Sequence, residues 1–441
     1  MDATVFPSDS SDGLYFDIIG FDPRGVNNTT PGFSCFPDLF SQKNWELQAE
    51  ADGMLGSSAD SFMRNWQRAL ALNNACSQSL SKPSAGGDIL GEHVSTPPVA
   101  RDMLEIIERH GEWREKQGQQ AQRDHDESYG YDSQQSIVTR TKWHQGHEKL
   151  MYWGRSYGTL LGSTFATLFP DRVGRMILDG VVDAEKYYTG NGPEPIGDAD
   201  AIFDKFTYYC NAVGEACPFD TAGGPTAIKN LYNDLESSLY NSSRAVMASQ
   251  SRGPEVVTWT DLKTVLRISM YQPLTGFAFL AQIADGLLKG NGSALADFKH
   301  GRRSQSCLTD ECLLAGPWST ECEVPGQSEI YSGAAILCTD AEYMQNPDPV
   351  AFKQHWHGLQ ELSGVTGDYW AHQRLNCMGW GPKAKWKMSS KSAPVWLVRY
   401  SLNRSGYCEY FLSAADCKQH PRPGYSFGKV RILSISSHAN F

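Results

Sequence analysis

Lys149-Leu150-Met151-Tyr152-Trp153-Gly154-Arg155-Ser156-Tyr157-Gly158-Thr159-Leu160-Leu161-Gly162 decides the fold of this 441-residue chain. Residues 149–153 carry the apolar and aromatic side chains of a buried strand. Past the first glycines, Leu160, Leu161, Phe165, Leu168 and Phe169 recur on one side of a helix that Pro170 stops. A second strand follows over residues 175–178 and closes with Asp179-Gly180. Two strands joined through a helix by short connections imply a parallel pair, since antiparallel neighbours need only a tight turn. The expected class is therefore α/β, a mostly parallel sheet flanked by helices.

Outward from this unit, Leu14-Tyr15-Phe16-Asp17-Ile18-Ile19-Gly20-Phe21 predicts a short buried strand, closed by the turn Asp22-Pro23-Arg24-Gly25. A polar loop is expected next. A helix then starts near Pro97, with Thr96 as N-cap and Val99, Met103, Ile106, Ile107 and His110 on one face. From residue 112 to about 135 the chain is rich in Gln, Arg and Asp without an apolar period, which predicts a helix extension running into an exposed, mobile loop. Residues 183–343 read as mostly helical. Ile228, Leu231, Leu235 and Leu239 keep helical spacing, residues 261–271 follow Thr260 as a cap, and 274–288 form a buried amphipathic helix. Asn346-Pro347-Asp348-Pro349 breaks the chain before a helix over 350–362, and Pro394-Val395-Trp396-Leu397-Val398 predicts one more buried strand. The division expected is a first part of the core at 1–182, a helical lid at 183–345, a second part of the core at 346–398 and a divergent tail at 399–441.

The chain has 39 Lys and Arg against 50 Asp and Glu, a formal charge of −11, with 40% hydrophobic and 20% charged residues. That composition builds a sizeable core and excludes a disordered architecture. The acidic balance argues against a nucleic-acid partner, which selects for a basic stripe. The longest apolar stretch, 274–288, is interrupted by Thr275, Gly276, Gln282, Asp285 and Gly286, so no membrane span is expected. Eleven cysteines, with sequons at Asn27, Asn28, Asn241, Asn291 and Asn403, favour an oxidising, secretory compartment and a disulfide-bonded glycoprotein. Cys210/Cys217 and Cys307/Cys312 are spaced for local bridges, although sequence does not fix the pairing. No metal motif, phosphate-binding glycine loop or dinucleotide fingerprint occurs, so no cofactor is implied. Residues 1–20 lack a basic stretch followed by an apolar one and so do not read as a signal peptide.

The chemistry concentrates at Gly154-x-Ser156-x-Gly158. In a chain with 41 glycines the bare pattern is weak, and its position between an apolar strand and an apolar helix is what strengthens it. A sharp strand–turn–helix puts the serine in an unfavourable backbone conformation above the end of the sheet, and flanking side chains would clash there. Gly158 and Gly162 let the helix pack closely on the sheet. Ser156 is then a nucleophile at the positive end of a helix, and the Tyr157 N–H can receive a developing oxyanion. The alternative is a glycine-rich turn with an incidental serine.

The stretches Phe16-Asp17-Ile18-Ile19-Gly20-Phe21-Asp22-Pro23-Arg24-Gly25, Gly154 to Gly162, Phe169-Pro170-Asp171-Arg172-Val173 and Leu178-Asp179-Gly180-Val181-Val182-Asp183 together resemble the tripeptidyl/prolyl aminopeptidase-like α/β-hydrolases. These are secreted serine exopeptidases of fungi and actinobacteria. Ala335-Ile336-Leu337-Cys338-Thr339-Asp340 and Cys377-Met378-Gly379-Trp380 fit the end of that family's lid and its C-terminal domain, and the Gln-rich insertion after Trp113 looks more like the fungal members. The resemblance covers roughly residues 14–398. It implies an α/β-hydrolase fold with an inserted helical lid, Ser156 as nucleophile, and a peptide N-terminus or a small ester or amide as substrate.

This fold presents its triad in the order Ser, Asp, His. The family's Asp turn after the last strand is replaced here by Arg399-Tyr400-Ser401-Leu402-Asn403-Arg404, and its Gly-His-Cys-like turn is not found. Of the later residues Asp416, His420 and His438, His438 is the base candidate. The glycine-rich loop that completes the family's oxyanion hole is likewise not found before residue 14. The expectation is a family member truncated at the front and divergent at the back, an incorrectly spliced transcript being one simple cause. Three functions follow: a secreted serine exopeptidase acting through a Ser156 acyl-enzyme, a carboxylesterase-like hydrolase, and a catalytically silent member of the fold. Elsewhere, His144 and His147 read as a solvated loop, Asp179 and Asp183 as turn caps, and Asp198, Asp200 and Asp204 as the polar face of a lid helix.

Overall fold

In the computed structural model the described residues are 18–84, 86–190, 196–303, 310–316, 319, 329–342 and 347–389, with the backbone alone of 398–402, 408–412 and 433–434. Helices α1 (Leu39–Asp52) and α2 (Ser61–Leu80) come first. They replace the polar loop expected there, and the Cys35–Cys76 disulfide anchors α2 to the chain ahead of α1. Two buried asparagines hide the apolar face of α2 in the sequence. Asn65 donates to Gly53 O and Ser61 O, and Asn73 to Met378 O, so both are satisfied inside a core that also holds Phe62, Trp66 and Leu80. Residues 18–21 of the expected first strand carry no strand pairing, and 14–17 lie outside the described residues.

Helix α3 runs from Thr96 to Tyr129 with Pro97 and Pro98 in its first turn, and it buries Val99, Met103 and Ile107. Its N-cap position is held by Ser95, one residue before the expected Thr96. The helix extension expected over the polar stretch runs to Tyr129, and residues 130–135 form the connection that follows. Pairs one turn apart, Glu112 with Lys116 (2.7 Å) and Gln122 with Asp126 (2.9 Å), support the extension. Helix α4 (Ser136–Thr141) folds back on it, its Ile137 N–H donating to Gln122 Oε1. Strand β1 (Leu150–Arg155), helix α5 (Tyr157–Leu168) and strand β2 (Val173–Asp179) form the expected unit, with β1 and β2 parallel in a register from Leu150↔Val173 to Arg155↔Asp179. Leu150, Tyr152, Leu160, Leu161, Phe165 and Met176 pack with α3 in one core. The other face of the pair, with Trp153 39% and Ile177 38% exposed, is open among the described residues.

Beyond β2 the chain is mostly helical: α6 (Ala184–Thr189), α7 (Ala199–Val213), α8 (Gly224–Asn241), α9 (Trp259–Tyr271), α10 (Pro273–Leu288), α11 (Ser293–Arg302), α12 (Asp310–Ala315), α13 (Glu329–Asp340), α14 (Pro349–Leu362) and α15 (Gly367–Leu375). Phe203, Phe206, Tyr232, Leu235, Leu262 and Leu280 are the centre of a separate core shared by α7 to α10. An unanticipated antiparallel pair, β3 (Arg244–Val246) with β4 (Glu255–Val257), lies between α8 and α9. The cap of α9 is Thr258 rather than Thr260. Thr258 and Asp261 satisfy each other's backbone N–H reciprocally, which Thr260 cannot do from inside the first turn.

The strand expected at 394–398 is described only at its last residue. Residues 394–397 lie outside the described residues, and Val398 opens β5 (Val398–Leu402), which pairs antiparallel with β6 (Cys408–Leu412). The short connection makes that local pairing cheaper in loop-closure entropy than a distant one. Beside β1 lies β7 (Leu433–Ser434), parallel through Tyr152↔Leu433 and Trp153↔Ser434. Among the described residues, no helix is long and apolar enough to cross a membrane.

Disulfides Cys210–Cys217 and Cys338–Cys377 are formed, and Cys312 is also disulfide-bonded, while Cys307 lies outside the described residues. The Cys338–Cys377 bridge closes 39 residues and Cys210–Cys217 only 7. Loop-closure entropy therefore predicts that replacing Cys338 and Cys377 by serine lowers unfolding free energy by about 4 kcal/mol, against about 2 kcal/mol for Cys210 and Cys217. Urea unfolding of the two double variants measures both.

Candidate active site

Ser156 is the whole connection between β1 and α5. Its backbone lies at φ 52°, ψ −125°, a conformation that costs a non-glycine residue about 1–3 kcal/mol. Hydrogen bonds hold it there from both sides. Its N–H donates to Asp179 O at the end of β2 (3.1 Å), and its carbonyl accepts from the N–H and hydroxyl of Thr159 (2.8 and 2.7 Å). Thr159 Oγ1 in turn accepts from Val182 N–H (2.9 Å), so the loop after β2 clamps the turn. The side chain is left exposed at the N-terminus of α5.

The glycines are explained by Tyr152, whose ring lies beneath the turn and donates its hydroxyl to Gly158 O (2.7 Å). A Cβ on Gly154 would overlap the Gly158 carbonyl and come within 2.5 Å of Tyr152 Cε1, and one on Gly162 would meet the same atom at 2.5 Å. Gly158 is less constrained, since its Cβ would lie 3.2 Å from the Tyr152 hydroxyl.

Tyr157 is the first residue of α5, so its N–H sits beside Ser156. Its ring is buried, and its hydroxyl lies 2.8 Å from Thr96 Oγ1. Thr96 directs both of its donors at Asp340, N–H to Oδ1 at 2.8 Å and hydroxyl to Oδ2 at 2.5 Å. Because the Thr96 proton goes to the carboxylate, the Tyr157 hydroxyl is the donor to Thr96. Tyr187, on α6, also donates to Asp340 Oδ2 (3.3 Å). Asp340 is fully buried, and burial pushes its carboxyl up to about 7 against the donors from Thr96 and Tyr187 and the positive charge of Lys387. The Tyr157 and Tyr187 phenols are pushed well above their usual range, first by burial and then by the nearby Asp340 charge.

Of the residues singled out in the sequence, Ser156 and Tyr157 come together in this turn. His438, Asp416 and His420 lie outside the described residues. Among the described residues no side chain is hydrogen-bonded to Ser156 Oγ. His144 and His147 are exposed in the loop before β1. Asp179 supplies only its carbonyl, and Asp183 caps α6 by accepting from Lys186 N–H (3.1 Å). On α7, Asp200 binds Ser363 Oγ (2.5 Å) and Asp204 binds Lys229 (2.6 Å), and Asp198 occupies the helix's N-cap position. The Asp340–Thr96 pair was missed. Its one signal in the sequence is an acid closing the apolar run Ala334-Ala335-Ile336-Leu337-Cys338-Thr339.

No protein-family model matches this chain. Curated relatives are found nonetheless. The tripeptidyl aminopeptidases of Streptomyces lividans and Streptomyces coelicolor are each 32% identical over 173 residues, 39% of this chain and 23% of theirs. The serine protease Hip1 of Mycobacterium tuberculosis is 25% identical over 266 residues, 58% of this chain and 41% of its own length. The matches thus span well under half of the curated relatives. These distant homologues support a serine peptidase family.

Burial of Asp340 has a thermodynamic consequence. Its carboxyl holds a proton up to about pH 7 in the folded chain but only to about 3.8 when unfolded, so its contribution to stability falls as pH rises between those values. Buried His355 and His372, both lowered to about 4, work in the opposite sense over the same range, stability falling as they charge on acidification. The difference in unfolding free energy between Asp340→Asn and the parent isolates Asp340. It should shift in favour of the variant from pH 4 to 7 and level off above, as chemical unfolding across that range will measure.

Proposed function

We propose that this chain is a serine peptidase of α/β-hydrolase type, secreted, in which Ser156 attacks the carbonyl carbon of a peptide and residues 183–345 form a lid that limits access to short substrates. The carrying observation is the backbone of Ser156, held at φ 52°, ψ −125° with its side chain exposed between a parallel strand and a helix N-terminus. A strained conformation that several hydrogen bonds maintain is found where function requires it. The names of the distant homologues agree with a peptidase, and the disulfides, which persist in an oxidising compartment, agree with secretion.

In this mechanism a base removes the Ser156 proton as Oγ bonds to the carbonyl carbon. The carbonyl oxygen becomes an oxyanion and accepts from the Tyr157 N–H. Collapse breaks the C–N bond, the amine leaves with the proton, and water releases the acyl group by the same steps. His438 is the base the sequence offers. The substrate proposed is a short peptide with a free N-terminus, cleaved as an exopeptidase would cleave it.

A fluorophosphonate probe should label Ser156, and Ser156→Ala should abolish both labelling and hydrolysis, a loss of at least about a thousandfold. In a panel of peptidyl anilides and acyl esters, unblocked peptidyl anilides should be the preferred substrates. Preference for esters would assign the carboxylesterase chemistry instead, and an unlabelled Ser156 would remove the nucleophile.

A further inference from the structure

We propose that Asp340 is a positioning residue for the oxyanion donor, acting through Thr96 on the Tyr157 ring and so on the peptide N–H that follows Ser156; this rests on the nucleophile assigned to Ser156 above. The Ser156–Tyr157 peptide plane is set by a strained ψ on one side and by the seat of Tyr157 on the other. A strained torsion relaxes unless something opposes it, and the seat of Tyr157 is polar at its far end, where its hydroxyl reaches Thr96 Oγ1 at 2.8 Å. Thr96 is itself immobilised by both of its donors on the two oxygens of Asp340.

The carboxylate also serves the helix that Thr96 begins. Ser95, in the N-cap position of α3, makes no side-chain cap, because its hydroxyl donates to Trp386 O (2.6 Å). Asp340 takes over that duty from α13, accepting the first amide of α3 where the helix dipole favours a negative charge. Its remaining partner, Tyr187, belongs to the first helix of the proposed lid, and Glu342 N–H donates to Tyr188 O (2.8 Å) alongside. Tyr188 OH lies 2.8 Å from Thr164 Oγ1 on α5. Both ends of the insertion are therefore tied at the base of the turn that carries Ser156, and one carboxylate anchors the lid hinge and the oxyanion donor together.

The test uses the full chain and the saturating first-order rate at which a fluorophosphonate modifies Ser156, a step that develops charge on the phosphoryl oxygen. Thr96→Val and Tyr157→Phe each keep the amide N–H and remove one link. Each should lower that rate constant about 10- to 100-fold with reagent affinity within about twofold, the scale of a misplaced rather than a deleted group. Thr96→Ser should restore the rate. Because the links are in series, Thr96→Val with Tyr157→Phe should be no slower than the slower single variant. Asp340→Asn, if it folds, should fall between the parent and Thr96→Val, since an amide keeps one acceptor. Parent-like rate constants in Thr96→Val and Tyr157→Phe, or losses that multiply in the double variant, would overturn the inference while leaving Ser156 labelled. No labelling of the parent chain would overturn the nucleophile, and this inference with it.

Discussion

Ser156 has to turn the chain from a strand into a helix by itself, and that constraint organises everything around it. With one residue for the turn, α5 lies so close to β1 that Gly154 faces the Gly158 carbonyl directly and Gly162 rests on the Tyr152 ring. The strain in Ser156 is offset by bonds from two directions, the Asp179 carbonyl ahead of it and the Thr159 side chain behind. Those partners belong to β2 and α5, so the parallel register from Leu150↔Val173 to Arg155↔Asp179 is what brings the acceptor to the amide.

Asp340 stands in the same relation to the helices. Taking a carboxyl from water is costly, and the first amide of α3, the Thr96 hydroxyl and the Tyr187 hydroxyl offset that cost only in part. A neutral apolar residue would pack in its place but would leave those buried donors without an acceptor. Its neighbours also set its location. Cys338, two residues earlier, is bonded to Cys377, and Thr339 accepts from Trp380 Nε1 at 3.0 Å, which fixes α13 between the core around Trp66 and the core around Tyr157.

Local interactions made the central unit legible. Strand, turn and helix from residue 150 to 168 follow from apolar periodicity and from glycines whose obstacles, Tyr152 and Gly158, are a few residues away. The same holds for Cys210–Cys217, for α10 and for the Asp183 cap. Illegible elements carry polar groups that only distant partners satisfy. Asn65 and Asn73 disguise α2 in this way. In the tail, the antiparallel pair of β5 and β6 and the parallel pairing of β7 with β1 were not anticipated.

That a serine sits on a strained connection between a parallel strand and a helix, with the Tyr157 amide next to it, follows from the order of the residues alone. Hydrophobic period, Gly-x-Ser-x-Gly spacing and the chirality of the backbone are all properties of a short segment, so a short segment reveals them. What holds Tyr157 emerges only on packing. Thr96 is 61 residues from it and Asp340 a further 244 from Thr96, and neither residue type at either position specifies the other. A buried hydrogen-bond chain exists only once three helices have packed, because each member is too costly to bury until the next is in place.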